Sequence, residues 1–398
     1  MSATPRVLLL TAATGGGHLS LAEAVRDLLV PEIDVDIVDP LPGIAKAHYR
    51  LVSRHAVGVW AAEYGFLDGP RRAALAHRAW ALPLAGRIAR LLRDRRYDLV
   101  LSAYSFLSYE AAAAIRRLPR PVPLAMLLTD AGSLHASWLS QRTTATTFAP
   151  TRETYALALA AGFPQGNVHL TGWPVRRQFS TGPTPTGERA ATGERAARGQ
   201  RAATGERAAT LAALGLDPSR LTLFVQGGGD GSAGFARGVD ALTAAAPGRV
   251  QVLLAPGSNQ APAARFREAP LVRVIPPTRH IARFVAAADV VVGKAGPNAL
   301  FEATALGKPF VATTYIPGQE ADNLDFIRTH GLGWVALGER EQVDLVRALV
   351  ADPALLAAPQ PAMQRYRAWN AEATQTLAPL VRGLVDAGRP ARAVGDPR

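Results

Sequence analysis

No cysteine occurs among the 398 residues of the chain. Disulfides and thiolate metal sites are therefore excluded, which is compatible with a reducing compartment. Long apolar runs are missing as well. A stretch such as Leu99–Tyr109 carries Ser102, Ser105 and Ser108 and stops at Glu110, short of the roughly 20 residues a bilayer span needs. The opening MSATPRVLLLTAATGGG has an apolar core but no small-residue cleavage site ahead of its glycines, so it reads as a strand and not as a signal peptide. Acidic residues are scarce relative to basic ones, 32 against 44, for a net charge of +12. Nearly all the basic residues are arginine. Such an excess attracts polyanions, whether nucleic acid, anionic lipid or a phosphorylated substrate, and it is also the habit of a GC-rich genome.

A hydrophobic fraction of 48% with 19% charged residues describes a globular protein, and the length suits two domains. Apolar runs alternate with helical patterns throughout. RVLLLTAA, VDIVDP, YDLVLSAY, VPLAMLLTD, ATTFAP and VHLTG read as strands in the first half; LTLFVQGGG, VQVLLAPG, VRVIPP, DVVVGKAG and PFVATTYI do so in the second. This alternation predicts an α/β protein with two doubly wound, parallel-sheet halves. We expect a first domain over residues 1–180, a linker over 181–210, a second domain over 211–370 and a final helix and tail over 371–398. The linker is built on the hexamer TGERAA, which starts at Thr186, recurs at Thr192, degrades from Arg198 and returns at Thr204. The period is too short for a solenoid. A flexible chain of that length spans on the order of 30 Å, enough for the halves to open and close. The segment ALPLAGRIARLLRDRR (Ala81–Arg96) reads as a core-packing helix with a solvated arginine face.

Each half places a glycine turn after its first strand: TGGGH at Thr14–His18 and QGGGDGSAG at Gln226–Gly234. Such turns present backbone N–H groups and a positive helix end, which suit a phosphate; they also allow close strand–helix packing. Neither is GxGxxG with a correctly spaced acid, and neither ends in Gly-Lys-Ser/Thr, so a dinucleotide fold is disfavoured and a P-loop excluded. His18 either acts on something bound at its turn or decorates it. Further on, KAGPNALFEATALGKP (Lys294–Pro309) ends a strand at Lys294 and starts a helix near Asn298, a good N-cap. Glu302 then falls near the strand ends, where a carboxylate can grip ribose hydroxyls or merely serve its helix. Gln319, Glu320 and Asn323 follow on the next loop and first turn, placed for sugar hydroxyls. Asp34 and Asp36 lie at a strand start, the wrong end of a parallel sheet, and are assigned no metal.

Taken in order, TGGGH, TDAGSLHASW, GWPVRRQF, QGGGDG, KAGPNALFEA and YIPGQEADN resemble the monogalactosyldiacylglycerol synthase family, from about Val7 to about Trp334. That family shares a superfamily with the peptidoglycan N-acetylglucosaminyltransferase and the two-domain GT-B fold. The resemblance implies an inverting transferase that moves a hexose from a UDP-sugar to diacylglycerol at the cytoplasmic face of a membrane, as a peripheral protein, with no metal or cofactor. It places Gly228, Gly229, Asp230 and Gly231 near the diphosphate with Lys294, Ala295, Gly296 and Pro297, Glu302 at the ribose, and Gln319, Glu320 and Asn323 at the hexose. His18 becomes the expected catalytic base, since displacement at an anomeric carbon needs a group to accept the acceptor's proton. Gly16, Gly17 and Asp130 fall to the acceptor side. There, PLPGIAKAHYRLVSRHAVGVWAAEYGF (Pro40–Phe66) resembles the lipid-facing segment, with Tyr49, Trp60 and Tyr64; the same aromatics also suit a core. His135 and Trp138 form the HxxW element.

The chain departs from the family pattern at Leu19, where arginine is usual, at Tyr104 in place of a histidine, and at Ile275-Pro276 in place of a glycine-aromatic pair. Two alternatives follow: the same donor chemistry on another lipid or lipid-linked acceptor, or a degenerate sugar-nucleotide or polyanion-binding protein. Basic and aromatic residues do not interleave along the strands as in a nucleic-acid platform, so no nucleic-acid partner is expected.

Overall fold

The computed structural model describes residues 4–12, 16–180, 204–227, 235–257 and 260–388. The first half runs β1 (Arg6–Leu10), α1 (Gly16–Leu29), β2 (Asp34–Val38), α2 (Gly43–His55), α3 (Val57–Leu67), α4 (Pro70–Asp94), β3 (Leu99–Ser102), α5 (Ser105–Ile115), β4 (Leu124–Leu127), β5 (Thr146–Ala149), α6 (Arg152–Ala160), β6 (Val168–Leu170) and α7 (Arg177–Ser180). Its strands form one parallel six-stranded sheet in the order β2-β1-β3-β4-β5-β6. Every residue of β3 is buried, as an unbroken apolar run requires when helices cover both faces. The expected helix over 81–96 is the C-terminal part of α4, and Leu84, Ile88 and Leu92 recur at intervals of one turn on its buried face.

The second half contains a helix over residues 204–213 (α8), then β7 (Leu221–Gln226), α9 (Phe235–Ala245), β8 (Val250–Ala255), β9 (Val272–Val274), α10 (Ala282–Ala287), β10 (Val290–Lys294), α11 (Pro297–Ala305), β11 (Phe310–Thr314), α12 (Ala321–His330), β12 (Gly333–Val335), α13 (Glu339–Ala351), α14 (Gln360–Thr374) and α15 (Leu377–Gly388). A second parallel six-stranded sheet has the order β12-β11-β10-β7-β8-β9. The short strand β12 escapes the sequence pattern because only three residues pair, at the sheet edge against Phe310, Val311 and Ala312.

Three boundaries differ from expectation. The last repeat copy is helical, because it continues into an apolar segment whose Leu211 is fully buried and because Arg207 bonds the Pro218 carbonyl and the Asp289 carboxylate. The expected linker thus ends before residue 204, and the rest of it, 181–203, lies outside the described residues. The N-cap of α11 is Gly296 with Pro297 at the first helical position, not Asn298. Finally, α14 runs past residue 370, and α15 returns to the first half, packing on β3 and α1 with Arg382 paired to Glu32. The main apolar cluster spans both halves, and its contact point is Trp173, stacked on Phe301 at 4.6 Å.

Candidate active site

Open parallel sheets bind ligands beyond the C-terminal ends of their strands. Those ends converge here on one narrow cleft open to solvent. The first half supplies His18 after β1, Tyr104, Ser105 and Phe106 after β3, and Thr129 and Asp130 after β4. Tyr49 on α2 and Trp60 and Tyr64 on α3 close one side, and Gln319 of the second half faces them. The halves touch closely. A Cβ at Gly17 would lie 3.2 Å from Asn298 Nδ2, and one at Gly318, whose φ is +82°, would lie 3.3 Å from the Tyr64 ring. Larger residues at these points would wedge the cleft apart.

His18 stands half-buried in the first turn of α1, edge-on to the Tyr104 ring at 5.1 Å. Desolvation, then the Lys294 ammonium, lowers its pKa to about 4, opposed by a hydrogen bond to the Ala103 backbone. The imidazole is therefore neutral at pH 7. Asp130 behaves oppositely. Burial lifts its pKa to about 7, the Trp138 indole opposes that, and the Asp68 and Asp322 carboxylates add to it. Trp138 Nε1 donates to Asp130 Oδ2 at 3.1 Å, leaving Oδ1 without a hydrogen-bond partner among the described residues.

His135 and Trp138 do not line the cleft; they are buried behind it. The Ser137 N–H donates to His135 Nδ1 at 3.1 Å, which makes Nε2 the protonated nitrogen, and Nε2 donates to the Tyr64 carbonyl at 3.2 Å. Beneath them His77 Nε2 donates to the Ser137 carbonyl at 3.1 Å while its Nδ1 meets Glu110 Oε1 at 3.1 Å. A carbonyl can only accept, so His77 and Glu110 share a proton on the other side of the ring. This buried chain ties α3, α4 and α5 to the turn that holds Trp138.

On the donor side, two sequence segments fold as one unit. Lys294 pairs with Glu320, whose other oxygen accepts the Ile316 N–H at 2.8 Å. Asn323 Nδ2 donates to the Ala295 carbonyl at 2.8 Å. These contacts hold Ala295, Gly296 and Pro297 against α12, and they occupy Glu320 and Asn323. Gln319 is left: its Oε1 is buried and has no hydrogen-bond partner among the described residues, as is the case for the Trp60 Nε1–H across the cleft. Glu302 lies one helical turn deeper than the cap, and its two oxygens accept from Arg176 Nε at 2.8 Å and Nη2 at 3.1 Å. Burial raises its pKa, and Arg176 partly offsets that. Arg176 comes from the first half, 126 residues away, next to Trp173, whose indole donates to Asn298 Oδ1 at 3.2 Å. Gly228, Gly229, Asp230 and Gly231 lie outside the described residues. Arg176 stands inside GWPVRRQF with nothing to single it out, and Tyr104 stands where the family has a histidine; no local pattern marks a partner so distant in sequence.

Two parallel sheets facing one cleft, with the last helix returned to the first half, define a GT-B glycosyltransferase fold. The solved structures with this arrangement include the calicheamicin glycosyltransferase CalG4, with a TM-score of 0.60, 15% identity and coverage of 98% of this chain and 100% of that one. MurG of Acinetobacter baumannii gives 0.57 and 16%, covering 95% and 99%. HepE of Anabaena, solved with UDP-glucose, gives 0.55 and 14%, again covering 95% and 99%. Residues 36–175 match the monogalactosyldiacylglycerol synthase family model, and residues 222–350 match that of the glycosyltransferase family 28 C-terminal domain. Each half of the chain thus matches a glycosyltransferase family model, the first that of monogalactosyldiacylglycerol synthases and the second that of the family 28 C-terminal domain. It is 24% identical to a probable monogalactosyldiacylglycerol synthase 2 of Oryza sativa subsp. indica, over 85% of this chain and 72% of the relative. For the monogalactosyldiacylglycerol synthase of Spinacia oleracea the figures are 25%, 82% and 63%.

Proposed function

We propose that the protein transfers a hexose from a UDP-sugar to diacylglycerol, with inversion, at a membrane surface. One observation carries this reading: a buried acceptor, Gln319 Oε1, and a buried donor, Trp60 Nε1–H, stand in one cleft without a hydrogen-bond partner among the described residues, each from a different half. Unmet polar groups of both kinds are costly to bury, and a ligand rich in hydroxyls meets both. In this reading Gln319 contacts the hexose, while Glu320 and Asn323 hold its loop. Glu302 takes the ribose on the lone pairs that Arg176 leaves free. The leaving diphosphate is stabilised by the second glycine turn, the N-terminus of α11 and Lys294. These groups supply its positive charge without a metal, so a chelator is expected to leave turnover unchanged.

The acceptor enters beside Tyr49, Trp60 and Tyr64. The same helices and the start of α4 expose Ile44, Leu51, Val59, Phe66 and Leu75, each more than half exposed, with Arg72 stacked on Phe66. Such a surface suits a bilayer, with arginines meeting anionic headgroups. No helix among the described residues is long and apolar enough to cross a membrane.

The test is incubation of pure protein with UDP-glucose, UDP-galactose or UDP-N-acetylglucosamine and diacylglycerol-containing vesicles, followed by chromatography of the lipids. A new neutral glycolipid is expected with one or two of the hexoses. UDP release without any lipid product, or no turnover at all, overturns the reading.

A further inference from the structure

Lysine is rare in this chain: Lys46, Lys294 and Lys308 are the only three among 44 basic residues. Lys294 closes β10, and its ammonium is paired with Glu320 Oε1. The pair lies over the start of α11. A Cβ built on the N-cap of that helix, Gly296, would lie 3.5 Å from Glu320 Oε1 and 3.7 Å from Lys294 Nζ. The two partners are held unequally. The Glu320 side chain is 5% exposed and its Oε2 accepts the Ile316 N–H at 2.8 Å, so the carboxylate is built into its loop. The Lys294 side chain is 25% exposed and makes no other hydrogen bond or ion pair among the described residues. Residue type matters here. Arginine grips a carboxylate through a rigid fork with two bonds. An ammonium is a point charge on a flexible stem, and it changes partner without breaking a fixed geometry.

We propose that the Lys294–Glu320 pair is an exchange latch for the donor: the diphosphate takes the Lys294 ammonium, and the Glu320 oxygen thereby uncovered receives a hydroxyl of the hexose. The inference rests on the UDP-sugar reading given above. Two considerations set its direction. A diphosphate carries more negative charge than a carboxylate, and the N-terminus of α11 favours an anion within reach of the ammonium. Once the lysine leaves, Glu320 is a buried carboxylate without its cation, which is costly unless hydrogen-bond donors take the vacated place. Sugar hydroxyls are such donors. The adjacent residue, Gln319, already presents a buried Oε1 with no hydrogen-bond partner among the described residues. The latch thus ties recognition of the sugar to arrival of the diphosphate. Uridine alone brings no anion to compete for Lys294 and leaves the pair closed.

Calorimetry with UDP and with uridine on the full chain tests this. Glu320→Gln keeps an oxygen for the Ile316 N–H but no longer competes for the ammonium. It is expected to bind UDP roughly fivefold tighter than wild type, the worth of one partly exposed ion pair, with uridine unchanged. Lys294→Arg keeps the positive charge but clamps Glu320, and UDP is expected to bind roughly tenfold more weakly, again with uridine unchanged. Equal or weaker UDP binding by Glu320→Gln, wild-type affinity in Lys294→Arg, or a change that uridine shares overturns the exchange and makes the pair a fixed brace of its loop. Should Glu320→Gln not fold, NMR of the reductively ¹³C-methylated protein decides. Three lysines give three side-chain signals, and the one missing from Lys294→Arg belongs to residue 294. UDP is expected to move that signal and uridine to leave it; a signal that UDP leaves in place overturns the exchange. A wild type that binds no UDP overturns the donor reading itself, whereas one that binds UDP while the variants fail these tests overturns the latch alone.

Discussion

At the scale of the residue, environment outweighs identity. A histidine after a glycine turn is legible in the sequence as a candidate base, but its neighbours are not. Lys294 and Tyr104 arrive from elsewhere in the chain and leave the imidazole neutral and weakly basic. His18→Ala is expected to lower turnover by about 10²–10⁴ with little change in donor binding, read as kcat against KM for the UDP-sugar. Asp130 makes a second, purely thermodynamic prediction. Its folded pKa is raised, so its contribution to stability is fully present below its ordinary value of 3.8 and is lost as pH rises through about 7. Asp130→Asn, which keeps an oxygen for Trp138, should melt higher than wild type at pH 8, and the difference should vanish below pH 4. An Asp130→Asn protein that melts lower at pH 8 contradicts the buried, charge-crowded setting. Glu302 was legible as a candidate for ribose binding; its pairing with Arg176 was not, because nothing local marks two groups 126 residues apart. Arg176→Gln leaves that carboxylate buried and unpaired, and a loss of about 3 kcal/mol in denaturant unfolding is expected.

At the scale of the element, the apolar periods carried most of the information. Strands and major helices follow the sequence because each has enough apolar residues to define a face. The exceptions are short or capped by tertiary contacts. Three residues at an edge cannot declare β12, and Asn298 forgoes the cap because the Trp173 indole claims its side-chain oxygen. The buried polar chain behind the cleft was also invisible. His135 and Trp138 stood out as a motif, yet they lie behind the cleft, and His77 and Glu110, both about 1% exposed, belong to no motif of the sequence. Breaking that pair by Glu110→Ala should destabilise by about 3–5 kcal/mol, while the double replacement His77→Leu with Glu110→Leu should cost less than the sum of the singles. A double-mutant cycle in urea measures both.

At the scale of the whole molecule, the repeat divides into two parts with different consequences. Deleting Thr186–Ala197 removes two full copies outside the described residues, and melting temperature and turnover should stay near wild type. Extending the deletion through Ala209 removes Arg207, which bonds Pro218 and Asp289, and should lower the melting temperature by several degrees. Differential scanning calorimetry distinguishes the two. The paired folds were legible from alternation alone; the closeness of the halves was not, since it depends on single small residues such as Gly17 and Gly318 meeting side chains of the opposite half.

The return of α15 to the first sheet has a mechanical corollary. Only Gln375 and Thr376 separate α14 from α15, so this crossing holds the halves together at one place, like the hinge of a door. Points beside such a joint move least when the halves swing, and points far from it move most. A rigid staple between Arg382 and Glu32, beside the joint, should therefore hardly slow the swing, whereas one joining Gly318 to Tyr64, at the cleft, should lock it.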